Sequence, residues 1–149
     1  MSTNYELILK QAETLTKDVP FITANLANIS ALIYSELDRL NWTGFYITEK
    51  DELILGPFQG KPACVRIPFG RGVCGKAAAT GETQLVKNVH EFPGHIPCDC
   101  ASNSEIVVPI HKDGKIFGVL DIDSPDLGRF TEEDKEGLEY LVKIIEKII

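Results

Sequence analysis

No stretch of this sequence comes near the roughly 20 consecutive apolar residues that a membrane-spanning helix needs, which excludes a helical integral membrane protein. The first ten residues mix Glu6 and Lys10 with no apolar core of a cleavable leader, so no export signal is expected and the chain reads as cytoplasmic. Basic residues are scarce and scattered: 15 Lys and Arg stand against 22 Asp and Glu, for a formal charge of −7. Such a charge repels a phosphate backbone and removes nucleic acid from the expected partners. Repeats and low-complexity segments are also missing.

Cysteines are few. Cys64, Cys74, Cys98 and Cys100 all lie in the middle of the chain. Structural disulfides are disfavoured in a reducing compartment, which leaves metal binding, redox chemistry or buried thiols acting as small hydrophobes. With 149 residues and 44% hydrophobic content, the chain can bury one core without covalent staples, so a single domain over 1–149 is expected.

Residues 5–17 and 22–40 read as amphipathic helices separated by Pro20, the second with Ile22, Leu26, Ile29, Ile33 and Leu37 at helical spacing. Residues 42–48 and 52–57 flank the polar turn Glu49-Lys50-Asp51 and predict a β-hairpin. A short strand is expected over 64–67, a short helix over 73–80 closed by Gly81, and another strand over 84–88. Residues 89–104 carry two prolines, His90, His95, Cys98 and Cys100 without periodicity, which marks a long functional loop. Strands 105–111 and 115–122 flank Asp113-Gly114, a pair that tolerates the positive φ of a tight turn. Thr131 caps a last helix, with Asp134 three residues on and Leu138, Leu141, Ile145 and Ile148 as its apolar stripe. Helices at both ends with hairpins between them give an α+β domain: a largely antiparallel sheet with helices mainly on one face.

Gly70-Arg71-Gly72-Val73-Cys74-Gly75 has the glycine spacing of a dinucleotide-binding loop, but Pro68 interrupts the segment before it and the following helix is too short for a parallel crossover. It reads instead as a tight turn into a helix. His90, His95, Cys98 and Cys100 supply zinc-type donors at a spacing unlike the C-x-x-C pairs of structural zinc sites, so solvated loop histidines are the expectation and no metal is assigned.

Cys98, between Pro97 and Asp99 in the loop, is placed as an exposed nucleophile. The N-terminal amides of the 73–80 helix would favour a thiolate at Cys74, and Cys64 and Cys74 are both available as resolving thiols, with inert buried cysteines as the competing reading. Asp121 and Asp123, two apart on one strand, share a face, and Glu105 begins the strand before it. Like charges so placed form a solvated polar face or a site for an ammonium group, in which a carboxyl stays protonated because its neighbours raise its pKa.

Together these strings resemble the GAF domains. The carrying residues are Ile67 to Gly75, Thr80-Gly81-Glu82, Ser104 to Pro109, Gly114 to Asp123 and Phe130 to Asp134, so the resemblance spans nearly the whole chain. Within that superfamily the chain is similar to the free methionine-R-sulfoxide reductases, which are solitary GAF domains. The specific marks are the spacing C-x9-C-x23-C met by Cys64, Cys74 and Cys98, Asn41 to Tyr46, and the run Cys98 to Glu105.

That resemblance implies Cys98 as nucleophile, Cys64 as principal resolving thiol and Cys74 as auxiliary thiol. It implies Trp42, Tyr46, Glu105, Asp121 and Asp123 as the substrate pocket. The implied partners are free methionine-R-sulfoxide, thioredoxin as reductant and a second copy in a homodimer, for which residues 21–40 and 140–149 are the candidate surfaces; no cofactor is implied. Cys100 stands where a serine is more usual, and a Cys98–Cys100 bond would compete with the Cys98–Cys64 one. The alternatives are a GAF sensor that binds a small ligand without turnover, and a zinc-binding interaction module. The sensor reading lacks both an output domain within the sequence and the Asn-Lys-Phe-Asp string of cyclic-nucleotide-binding relatives.

Overall fold

The computed structural model describes residues 3–95 and 101–149. Two helices open the chain, α1 (Tyr5–Thr16) and α2 (Ile22–Glu36), followed by strands β1 (Trp42–Glu49), β2 (Glu52–Gly60) and β3 (Arg66–Pro68). Helix α3 (Gly72–Thr80) leads to β4 (Gln84–Val86), and β5 (Ser104–Lys112), β6 (Lys115–Ser124) and α4 (Glu132–Glu146) complete the fold. The strands form one sheet in the order β3-β2-β1-β6-β5-β4, antiparallel at every neighbouring pair. This is the expected α+β architecture.

Strand alternation sorts the sequence onto two faces. Phe45, Ile106, Val108, Ile110, Leu120 and Ile122 point to one side, where they pack with the apolar stripes of α1, α2 and α4. Trp42, Tyr46, Val107 and Val119 point to the other and pack with Val73, Cys74, Ala77 and Ala78 of α3. The first face is a closed core between sheet and three helices. The second is covered by one short helix, which leaves room for a pocket.

Helix α4 starts as its sequence predicts: Thr131 Oγ1 accepts from Asp134 N at 3.3 Å, and Asp134 Oδ2 accepts from Thr131 N at 2.8 Å. Asp113 and Gly114 adopt φ of +53° and +77° in the β5–β6 turn. Helix α2 stops at Glu36, short of the predicted residue 40, although Leu37 continues the apolar spacing. The cause is tertiary. Buried Arg129 takes the Asp38 carbonyl (3.1 Å) and carboxylate (3.1 Å), Ser124 Oγ donates to Arg39 O (2.6 Å), and Arg39 turns the chain into β1 with φ of +57°. Strand β2 runs to Gly60, three residues past its predicted end, because Phe58, Gln59 and Gly60 pair with Gly44, Thr43 and Trp42.

Where α1 meets α4, the Tyr5 ring lies flat on Gly137, and its hydroxyl donates to Asp134 Oδ1 at 2.7 Å. A Cβ at Gly137 would occupy the ring's place. Gly137→Ala is therefore expected to lower stability by about 1–3 kcal/mol despite alanine's better helix propensity, because overpacking outweighs it. Thermal melts check this, and an unchanged or raised Tm would show that Tyr5 can yield.

Candidate active site

Three strands carry the site to one place by register. Trp42 pairs with Asp123 and Gly44 with Asp121 across β1–β6, while Glu105 pairs with Asp123 and Val107 with Asp121 across β5–β6. Trp42, Glu105, Asp121 and Asp123 consequently share the α3 face, and Tyr46 joins them two residues beyond Gly44. Helix α3 lies over them. The resulting cavity is lined by Trp42, Tyr46, Cys74, Glu105, Asp121 and Asp123, that is, by six of the eight residues predicted for the site, together with Ala63, Ile67, Arg71, Gly72, Val73, His95 and Ser102.

The apolar wall is rigid. Trp42 stacks between Phe58 (centroids 5.2 Å apart) and Tyr46 (5.9 Å). Trp42 Nε1 donates to Lys61 O at 3.1 Å and Tyr46 Oη donates to Cys64 O at 2.8 Å, so both polar tips are satisfied and fixed. The second bond ties the pocket wall to the segment bearing Cys64, which is half-buried and disulfide-bonded.

The acidic wall is out of water: Asp121 is 5%, Glu105 7% and Asp123 9% exposed. Burial, then the neighbouring Asp121 and Asp123 charges, push Glu105 well above the ordinary carboxyl range. Burial and Asp121 do the same to Asp123, and burial raises Asp121. Ser102 Oγ donates to Asp123 Oδ2 at 3.3 Å. The other oxygens, Asp121 Oδ1 and Asp123 Oδ1, are buried without a donor among the described residues. An incoming ligand that brings N–H groups would satisfy them.

Cys74 does not fit its sequence-based reading. Its Sγ donates to Glu105 Oε2 at 3.9 Å, and burial followed by the Asp121 and Glu105 charges push its thiol well above the usual range. Amides at the start of α3 do not overcome an apolar, acidic surround. Cys74 is a free thiol held protonated, not a thiolate. Its Sγ and oxygens of Glu105 and Asp121 lie within 4.8 Å of one another, a spacing a divalent cation could use. In the metal-free site burial holds all three toward their protonated forms, so a cation would have to displace their protons to bind.

The loop histidines meet edge to face, ring centroids 6.3 Å apart, but take different neighbours. His90 Nε2 is 2.8 Å from Asn103 Oδ1, whereas His95 lines the cavity, where burial and then His90 lower its pKa and keep the ring neutral. Cys98 and Cys100 lie outside the described residues. Gly70 and Gly72 adopt φ of +87° and +63°, Gly70 N donates to Gly75 O at 2.8 Å, and the surrounding strands are antiparallel, so this segment is a turn into a helix and not a dinucleotide loop. Sequence reading missed Arg71 and His95 as lining residues. Arg71 was hidden inside a motif read only for its glycines, and His95 inside a loop with no periodicity to place it.

Residues 23–149 match the GAF domain family. The free methionine-R-sulfoxide reductase of Escherichia coli is 60% identical over 126 residues, 85% of this chain and 76% of the relative. Among solved structures, the fRMsr of Staphylococcus aureus in complex with substrate superimposes with a TM-score of 0.95 at 58% identity, covering 99% of this chain and 97% of the other. The free methionine-R-sulfoxide reductase from Neisseria meningitidis, in complex with its substrate, gives a TM-score of 0.95 at 45% identity, covering 99% and 92%.

Proposed function

The chain belongs to the GAF-domain family, and from that premise we propose how its residues carry out the reduction of free methionine-R-sulfoxide. It is an oxidoreductase, a free methionine-R-sulfoxide reductase. The observation that carries the mechanism is the gathering of Trp42, Tyr46, Glu105, Asp121 and Asp123 round one cavity that Cys74 also lines, beside the segment bearing Cys64.

A sulfoxide sulfur is electrophilic, but its oxygen leaves only when protonated. The Cys98 thiolate attacks sulfur while one of Glu105, Asp121 and Asp123, kept protonated by burial and by its neighbours, gives a proton to the oxygen. The bond between the Cys98 and substrate sulfurs then breaks as the protonated oxygen passes to the Cys98 sulfur: methionine leaves with the electron pair and Cys98 becomes a sulfenic acid. The Cys64 thiol condenses with it, forming the disulfide and releasing the oxygen as water, so two thiols supply the two electrons that the substrate sulfur accepts. A disulfide at Cys64 supports its place in this cycle. Thioredoxin, a cytoplasmic dithiol, restores both thiols by exchange.

Trp42 packs against the S-methyl group, and the remaining carboxylates take the α-ammonium group, satisfying Asp121 Oδ1 and Asp123 Oδ1. A methionine sulfoxide inside a peptide lacks that ammonium and leaves buried carboxylates unpaired, which is how the pocket selects the free amino acid. The whole chain, 1–149, acts as one catalytic domain. Exposed Phe21, just before α2, and Tyr140 of α4 belong to the surface on which a second copy would pair. No helix among the described residues is long and apolar enough to cross a membrane.

The test is to supply reduced protein with separated R and S diastereomers of free methionine sulfoxide, thioredoxin, thioredoxin reductase and NADPH. NADPH loss with the R form alone is the expected result. Binding of the sulfoxide without NADPH loss would return the chain to a ligand-binding role.

A further inference from the structure

Strands β1 and β5 both run antiparallel to β6, so the residues that precede them meet at the end of β6, on either side of Asp123. Asn41 stands immediately before β1 and Ser102 two residues before β5, 61 positions apart in sequence. Their side chains touch. Asn41 Nδ2 donates to Ser102 Oγ at 3.0 Å, and Ser102 Oγ donates to Asp123 Oδ2 at 3.3 Å.

Chemistry sets the direction of this chain. An amide nitrogen can only donate, so the Ser102 oxygen accepts from Asn41 and its single hydrogen is left for Asp123. A hydrogen bond given to a carboxylate favours the charged form. Burial and the Asp121 charge push Asp123 upward, and the Glu105 and Ser102 hydrogen bonds pull against them. Glu105 Oε2, by comparison, accepts from the Cys74 thiol at 3.9 Å, a weaker donor than a hydroxyl. Nor is the pair needed to close the sheet. Asn41 N donates to Asp123 O at 3.0 Å and Asn103 N to Ser124 O at 2.8 Å, so backbone bonds already hold both strand ends. Ser102 is 5% exposed and lines the cavity with Asp123, whose other oxygen, Oδ1, is buried without a donor among the described residues.

We propose that Asn41 and Ser102 are positioning residues whose hydrogen-bond chain fixes Asp123 as the standing carboxylate of the acidic wall and leaves its Oδ1 for the substrate's ammonium group. This rests on the reading that the cavity takes a free amino acid. One carboxyl of the wall must keep a proton for the sulfoxide oxygen and another must be charged for the ammonium, and three similar buried acids do not divide those tasks by themselves. Donors that reach one of them from behind do. Asp123 is thereby withdrawn from proton donation, which falls to Glu105 or Asp121.

The other titratable or charged groups facing Asp123 are Asp121 on its own strand, Glu105 on β5, Tyr46 on β1, Cys74 on α3 and, around the rest of the cavity, Arg71 and His95. All are common to the proteins compared. Affinity for free methionine-R-sulfoxide is measured from about pH 5.5 to about pH 8.5 by the fluorescence of Trp42, the single tryptophan, in a Cys98→Ser parent where the sulfoxide binds without reacting. Removing a donor to the charged form raises the pH at which Asp123 ionises. Ser102→Ala is therefore expected to weaken binding about 10-fold at the acidic end and to converge on the parent at the alkaline end, with a midpoint about one pH unit higher. Ser102→Thr, which keeps the hydroxyl, restores the parent curve. Asn41→Ala shifts it in the same direction, and the double variant no further than Ser102→Ala, because Asn41 acts through Ser102. A loss of equal size at every pH overturns the assignment, as do losses that simply add. Failure of the parent to bind the sulfoxide at any pH would instead sink the amino-acid reading of the cavity, a result distinct from both.

Discussion

Glu105→Gln is expected to raise KM for free methionine-R-sulfoxide by about 10²- to 10³-fold, and at the same time to make the ligand-free protein more stable at pH 8 than the wild type. The kinetic half follows from burial: Glu105 is one of three carboxyls facing the cavity, and losing one partner of a buried ammonium–carboxylate contact costs about 3–5 kcal/mol. The stability half follows from proton linkage. Glu105 and Asp123 are held well above their ordinary values of 4.5 and 3.8, and Asp121 above 3.8. Between those ordinary values and the raised ones, the folded protein binds more protons than the unfolded chain. The contribution of these groups is thus fully favourable below the ordinary carboxyl range and is lost as pH rises through the folded values, at about 1.4 kcal/mol per pH unit for each proton of difference. Gln cannot ionise, so the variant escapes one part of that loss. Steady-state kinetics and melts at pH 5 and pH 8 measure both halves. L-Methionine should stabilise the wild type more than the variant at pH 8, since its ammonium offsets the charge that Gln no longer carries. Parallel stability curves with unchanged KM would remove Glu105 from the site.

Local rules made much of this arrangement legible. Period-two alternation placed Asp121 and Asp123 on one face, the Thr131 and Asp134 pair marked the start of α4, and Asp113-Gly114 marked a hairpin turn. What escaped depends on residues far apart in sequence. Leu37 still falls on the α2 stripe, and only Arg129 and Ser124, some 90 residues on, explain why the helix has already ended. Cys74 illustrates the same limit electrostatically. Its own helix argues for a thiolate, while burial, and then Asp121 and Glu105 from β6 and β5, keep it protonated.

The division of labour among thiols gives the largest effect expected. Cys98→Ser should lower turnover at least about 10³-fold, because a hydroxyl held near neutral pH is a far poorer nucleophile than a thiolate. Cys64→Ser should separate the half-reactions: one methionine released per protein molecule in a single turnover, then no cycling with thioredoxin. Cys74→Ser should do neither. Cys74 is buried, protonated and hydrogen-bonded to Glu105, and a thiol so placed contributes to the acidic wall and not to disulfide exchange. Serine can keep that bond, so a few-fold change in KM with intact cycling is the outcome to expect. Counting methionine per protein in single turnover, with NADPH consumption alongside, reads all three variants. If Cys74→Ser stopped cycling and Cys64→Ser did not, the resolving role would pass to Cys74. Burial would then have to be relieved during the cycle, because a protonated thiol closed beneath α3 cannot reach a sulfenic acid without the helix's first turn moving aside.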